Sequence, residues 1–205
     1  LGNSFENIIY KFILLKLFKF ISNKKTAFIF QNKSDYNLFK INMINLNNSL
    51  IISGSGVVIS DYKKRNINKK FTSIIMGSRV MKEKGSINYV LAANELLKKY
   101  KYLKFFYAGD NSLSIKKIDN FEKICKKNNV SYLGFVPFLG KRELFKYDIA
   151  VLPTVYNEGV PFFLIEAITC GLAVVTTNKK GCKSTVLNNG VLIKSNDPRS
   201  IVKAI

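Results

Sequence analysis

From residue 73 onward, short unbroken apolar runs alternate with amphipathic stretches, a pattern compatible with very few folds. The runs "SIIMGS", "LKFFYAG", "VSYLGFV", "DIAVLP" and "AVVTT" have strand length, and "SINYVLAANELLKKY", "IDNFEKICKKN", "KRELFKY" and "PFFLIEAITCG" between them have helical periodicity. "STVLNNGVLIK" follows, and a closing helix is expected from Asp197. A strand whose apolar residues run without interruption is buried on both faces, which a parallel sheet covered by helices provides. Residues 72–205 are therefore expected to form a doubly wound, Rossmann-like α/β domain. Such sheets bind ligands outside the carboxyl ends of their strands, so functional residues should lie in loops that follow strands.

The upstream part is less regular. "TAFIF" reads as a short strand, "SDYNLFK" as a helix opening on a Ser34 cap, and "SLIISGSGVVIS" as a strand broken by glycines. "FENIIYKFILLKLFKFI", residues 5 to 21, is the most apolar segment. Lys11, Lys16 and Lys19 interrupt it well short of the ~20 apolar residues that span a bilayer, so it is not transmembrane. Two readings fit it: a core helix whose lysines snorkel, or a helix lying on a membrane surface. The run "DYKKRNINKK" is polar and aperiodic, so residues 61–71 are expected to be a linker.

With 47% apolar and 13% aromatic residues in 205, the chain can bury a substantial core. A net charge of +20, from 33 Lys and Arg against 13 Asp and Glu, attracts anions. It does not choose among nucleic acid, lipid head groups and phosphorylated ligands, and the abundance of Lys, Asn and Ile also matches the drift of an AT-rich genome. Scattered lysines and the lack of an RNA-binding motif disfavour nucleic acid. Cys125, Cys170 and Cys182 are odd in number and widely spaced, which argues against a disulfide framework or a zinc site and suits a reducing cytosol. The sequence has no histidine, so any histidine base must come from outside it. It opens on Leu1 rather than methionine, and a fragment is expected.

Two loops carry the chemistry. In "GSRVMKEKGS", Gly77 permits a tight exit from the strand, and Arg79 and Lys84 bring two cations to the mouth of the helix that begins near Ser86. A guanidinium and an ammonium at a helix amino terminus suit a phosphate; a basic solvated loop is the alternative. In "TVYNEGVPFFLIEAITCG", Glu158 precedes Gly159, whose backbone can approach a ligand closely, and Pro161 suits a first helical turn. Positions eight apart on a helix are about 12 Å apart along its axis, the span from sugar to ribose in an extended nucleotide sugar. Glu158 would then face sugar hydroxyls and Glu166 ribose hydroxyls; a helix-terminus charge and a half-buried salt bridge are the alternative.

Taken in order, "GSRVMKEKG", "YAGD", "YLGFVP", "DIAVLPTVYNEGVPFFLIEAITCGLAVVTTNKKGC" and "GVLIKSNDP" resemble the carboxyl-terminal domain of retaining GT-B glycosyltransferases of family four. The resemblance covers about residues 26 to 205 and extends to members that build bacterial capsule, O-antigen (lipopolysaccharide) or glycoprotein glycans, in particular N-acetylhexosaminyltransferases acting on polyprenyl-diphosphate acceptors. It implies that residues 1–60 are the end of the amino-terminal acceptor domain and residues 72–205 a donor domain truncated at its carboxyl terminus. Arg79 and Lys84 would contact the donor diphosphate, Glu158 the donor sugar, Gly159 and Val160 the phosphates through backbone amides, Glu166 the ribose, and the backbone around Val136 the uracil. Arg79, Lys84 and Glu158 would be the catalytic set, with a UDP-sugar as donor and no metal ion or other cofactor.

Departures from the family pattern are Val58 after "GSGV" where aspartate is frequent, Asn157 where arginine often precedes the first glutamate, Ala173 where proline is frequent, and Ser184 where glutamate is usual. The resemblance also implies an acceptor loop and a histidine upstream of Leu1, and helices beyond Ile205. The expected setting is the cytoplasmic face of a bacterial membrane, with the basic surface drawn to anionic lipid. The alternative function is an inactive fragment, or a module of the same fold that binds UDP without catalysis.

Overall fold

The computed structural model describes residues 5–65, 72–111, 118–137 and 139–205. Of the segment expected as a linker, residues 66–71 lie outside this set. The chain forms two units, Leu1–Ser55 and Gly56–Ile205.

In the smaller unit, α1 (Phe5–Ile21) precedes β1 (Ala27–Phe30), α2 (Lys33–Ile41) and β2 (Asn48–Ile51). The two strands pair in parallel, with Ala27 opposite Asn48 and Phe30 opposite Ile51. Phe18 of α1 packs on Phe28 and Phe39 with ring centroids 6.2 and 5.0 Å away, and Phe30 meets Tyr36 and Phe39 edge-on. Most other apolar residues of α1 are exposed, including Tyr10, Phe12, Leu17 and Phe20. No helix among the described residues is long and apolar enough to cross a membrane.

Two local expectations need correction. The cap of α2 is Asn32, whose side chain accepts from the Asp35 amide at 2.9 Å; Ser34 lies inside the helix. "SLIISGSGVVIS" does not continue as a strand, because β2 ends at Ile51, Gly54 and Gly56 take positive φ, and residues 59–61 form one 3-10 turn.

The larger unit carries the alternating pattern. Its strands are β3 (Thr72–Gly77), β4 (Leu103–Ala108), β5 (Val130–Tyr132), β6 (Ile149–Leu152), β7 (Ala173–Thr177) and β8 (Gly190–Ile193). They form one six-stranded sheet, ordered β5-β4-β3-β6-β7-β8, with every pairing parallel. The helices are α3 (Ser86–Lys99), α4 (Phe121–Lys127), α5 (Leu139–Arg142), α6 (Phe162–Thr169), α7 (Lys180–Lys183) and α8 (Pro198–Ala204). As expected, Asp197 caps α8, its carboxylate accepting from the Ser200 amide.

Successive strand residues point to opposite faces, and the core divides accordingly. Ile74 and Met76 join Tyr89, Phe105, Tyr107 and Phe121 in one cluster, whereas Ile75 joins Ala150, Leu144 and Ala167 in the other. This is the doubly wound α/β sheet expected from the alternation of apolar runs. The winding reverses between β3 and β6, so the loops that leave these two strands open side by side at the carboxyl edge.

Residues 61 to 65, expected as the start of a linker, are instead fastened to the larger unit. Lys64 donates to the Thr169 carbonyl, the Arg65 amide to Cys170, and Arg65 Nε to Gly171, at 2.8, 2.8 and 2.7 Å. These carbonyls end α6 and have no partner within it, which is where cationic side chains are favoured.

Candidate functional site

The loop after β3 is held from beneath. The Tyr107 hydroxyl is fully buried in β4 and needs polar partners. It lies 2.7 Å from Ser86 Oγ, 3.0 Å from Ser78 Oγ and 3.3 Å from the Arg79 carbonyl. Ser86 in turn bonds both the amide and the carbonyl of Met81, closing the loop on the start of α3. Gly85, the α3 cap, has φ 81°, and a side chain there would strike Pro153 in the neighbouring loop. Arg79 projects outward from this frame and is exposed.

The loop after β6 is stitched to it. The Val155 amide donates to the Glu83 carbonyl at 2.8 Å. Lys84 forms an ion pair with Glu158 Oε1, the two side chains being only 14% and 16% exposed. Thr154 Oγ1 donates to the same oxygen at 3.3 Å, and the Lys84 ammonium lies 5.7 Å from the centre of the Tyr156 ring. Behind the loop, any side chain at Gly181 would run into the Gly159 carbonyl.

Two expectations about this loop are corrected here. Pro161 is the cap of α6, not a residue of its first turn. Glu158 therefore lies ahead of the helix, and only Glu166 is on it, so a shared helix axis does not set their separation.

A cleft of about 300 Å³ opens at the switch point, lined in part by Arg79, Asp110, Phe135, Val136, Phe163 and Glu166. Glu166 enters it from α6 with Oε1 accepting from the Tyr62 hydroxyl at 2.9 Å. Burial pushes the Glu166 carboxyl above its ordinary value, while the Tyr62 hydrogen bond and the Lys141 ammonium pull it back. Gly140 lies directly against this carboxylate, and a side chain there would collide with both oxygens.

The expected residues thus fall into two groups. Arg79, Val136 and Glu166 line one cleft, and Lys84 and Glu158 form a pair between the two loops. Gly159 and Val160 connect Glu158 to α6 without lining the cleft. Sequence reasoning missed Tyr62, Thr154 and Gly140. Tyr62 is an aromatic in a basic polar run and Thr154 a small polar residue next to a strand end, and neither carries a periodic signal. Gly140 could have been singled out only by knowing what lies opposite it.

The family model for glycosyl transferases group 1 matches residues 59–205. The chain belongs to this family. Among curated relatives of this group 1 chain, a phosphatidylinositol N-acetylglucosaminyltransferase component from Arabidopsis thaliana is 26% identical over 65% of the chain and 30% of the relative. An N,N'-diacetylbacillosaminyl-diphospho-undecaprenol alpha-1,3-N-acetylgalactosaminyltransferase from Campylobacter jejuni is 24% identical over 100% of the chain and 57% of the relative. The chain therefore spans less than two thirds of either.

Among solved structures, a glycosyltransferase from Rickettsia africae superposes with a TM-score of 0.75 at 18% identity, covering 99% of the chain and 56% of its own. The Anabaena protein Alr3699/HepE, solved with UDP and glucose, gives 0.68 at 16% identity, covering 92% and 55%. At these identities the likeness establishes the fold, the parallel α/β architecture of GT-B glycosyltransferases.

Proposed function

We propose that this chain is the donor-binding part of a retaining glycosyltransferase that takes a UDP-sugar, with an N-acetylhexosamine as the transferred group. The observation that carries the reading is the convergence of Arg79, Val136 and Glu166 on one cleft at the switch point of the sheet. Glu166 would accept from ribose hydroxyls, and the backbone near Val136 would hold the uracil. Arg79 and Lys84 would meet the diphosphate, with the Gly159 and Val160 amides beside it and Glu158 at the donor sugar. Departing UDP gains negative charge, and cations already in position stabilise that charge more in the transition state than in the ground state. These cations are the electrophilic machinery in this reading, which calls on no metal ion.

The acceptor would be a polyprenyl-diphosphate-linked glycan in bacterial surface polysaccharide or glycoprotein assembly, met at the cytoplasmic face of the membrane. The name of the Campylobacter relative supports such an acceptor, and the Anabaena complex supports a uridine nucleotide in this fold. Residues 1–60 would belong to the acceptor domain. The net charge of +20 would assist at an anionic surface, where each nearby cation contributes about 1 kcal/mol.

A thermal melt with and without UDP, using ATP as the control nucleotide, tests the reading. A ligand specific for the native state raises the melting temperature, so a rise with UDP alone is expected. Arg79→Ala and Glu166→Ala should abolish that rise and Lys98→Ala, on the exposed side of α3, should leave it intact. A cooperative melt indifferent to UDP would overturn the proposal.

A further inference from the structure

We infer that Tyr62 is a positioning residue for nucleoside recognition, aiming the Glu166 carboxylate into the cleft by donating its hydroxyl hydrogen to Oε1. The inference rests on the reading above, in which Glu166 receives the ribose.

The geometry comes from three sides. Tyr62 is 9% exposed, and its ring belongs to the cluster formed by Ile75, Ala108, Leu144 and Ala167. It does not line the cleft, so it stands behind Glu166 rather than beside a ligand. Its backbone cannot slide along α6, because Lys64 and Arg65 hold the carbonyls of Thr169, Cys170 and Gly171, and Arg65 also pairs with Asp148 at 3.2 Å. Gly140 makes the space that the carboxylate occupies, since any side chain there would collide with both of its oxygens. A glutamate has three rotatable bonds before its carboxylate, and a hydrogen bond from a rigid, packed ring removes much of that freedom.

The same contact bears on charge. To accept from two ribose hydroxyls Glu166 must be ionised, yet burial disfavours the ionised form. Tyr62 and Lys141 both offset this, Lys141 from α5. Cys170 lies one turn further along α6, and Arg79 and Asp110 line the same cleft. Burial first, and then Glu166 itself, raise the Tyr62 hydroxyl well above its ordinary value, so it remains a donor at neutral pH. With one lone pair of Oε1 engaged by Tyr62, Oε2 and the remaining lone pair of Oε1 are left to the two ribose hydroxyls.

Tyr62→Phe keeps the ring and removes only the donor. Calorimetric titration with UDP from mildly acidic to neutral pH should give an affinity about tenfold below the unsubstituted protein at neutral pH. Protonation of Glu166 weakens binding as pH falls, and loss of the donor raises its pKa, so the midpoint of that decline should move to higher pH. In a Glu166→Gln background, Tyr62→Phe should cost little more, since the two act through one group. Carbon-13 NMR of the glutamate carboxyls should show the Glu166 midpoint raised in Tyr62→Phe without any nucleotide. An unsubstituted chain that ignores UDP overturns the donor-site reading itself. UDP binding with the same affinity and the same carboxyl midpoint in Tyr62→Phe overturns the role of Tyr62 alone.

Discussion

The two units of this chain use the same construction, parallel strands joined through helices, and differ in how completely their strands are covered. In β3, Ile74, Ile75 and Met76 are entirely inaccessible. In β1 and β2, Ile29 and Leu50 are exposed by 65% and 51%, and in α1 Phe20 is exposed by 89%. Among the described residues, six strands present two broad faces on which helices settle, whereas the smaller unit offers two strands in one ladder, and in the function proposed above that unit is the end of a larger acceptor domain. Apolar residues mark the core directly where the sheet that they cover is present, as in the larger unit.

The largest difference between the two units is expected when the chain is divided at Ser55. Residues 56–205 alone should melt cooperatively by circular dichroism, and residues 1–55 alone should show no cooperative transition. A cooperative melt from the smaller piece would mean that its exposed apolar residues are not what limits it. Within the chain, Leu164→Ala in the fully buried part of α6 should cost about 3 kcal/mol in denaturant unfolding. Leu17→Ala on the exposed side of α1 should cost less than about 0.5 kcal/mol.

The paired loops sharpen the contrast further. Lys84→Met strands Glu158 in a mostly buried site and should cost about 3 kcal/mol, while adding Glu158→Gln should recover much of it. Both variants should lose UDP binding, separating stability from function in one denaturation and titration series. Asn32→Ala, which removes the α2 cap in the smaller unit, should cost about 1 kcal/mol at most, read by the same denaturation.

The smallest effect has an informative sign. The carboxyl of Glu166 is raised by burial, so its protonated form favours the fold. That contribution is complete below the unfolded-chain value and disappears as pH rises through the raised one. Without ligand, Glu166→Gln should therefore be at least as stable as the unsubstituted protein at neutral pH, although it binds UDP more weakly. A clear loss of stability in that variant would indicate that its carboxylate is held more favourably than its burial implies.

The sheet was legible because strand burial leaves a direct mark, the unbroken apolar runs around residues 74–76, 105–107, 149–152 and 174–175. The position of Arg79 beside the cleft follows from the rule that a doubly wound sheet opens at its strand ends, whereas Glu166 stands out by its spacing from Glu158, although the two do not share a helix. The attachment of residues 61 to 65 was not legible. Lys64 and Arg65 bond to backbone carbonyls more than a hundred positions away, and a basic polar run has the same composition whether it is tethered or free. The pairing of Lys84 with Glu158 was hidden for the same reason, since each residue alone satisfied the pattern of a ligand contact. The cap at Asn32 was misread because Ser34, two positions on, is equally suited by chemistry, and only backbone conformation separates them.

The distribution of thiols gives the molecule a built-in clock. Cys125, Cys170 and Cys182 all lie in the larger unit and are fully inaccessible, and burial pushes the Cys125 thiol up to about 12. A thiolate-directed label therefore meets no reactive sulfur until that unit opens, and the smaller unit contributes no background at all. Labelling rates at the three positions would time the departure of α4, the carboxyl end of α6 and α7 separately. Slower labelling of Cys170 in the presence of UDP would report, from a sulfur outside the cleft, that its occupant also holds the far end of the helix bearing Glu166.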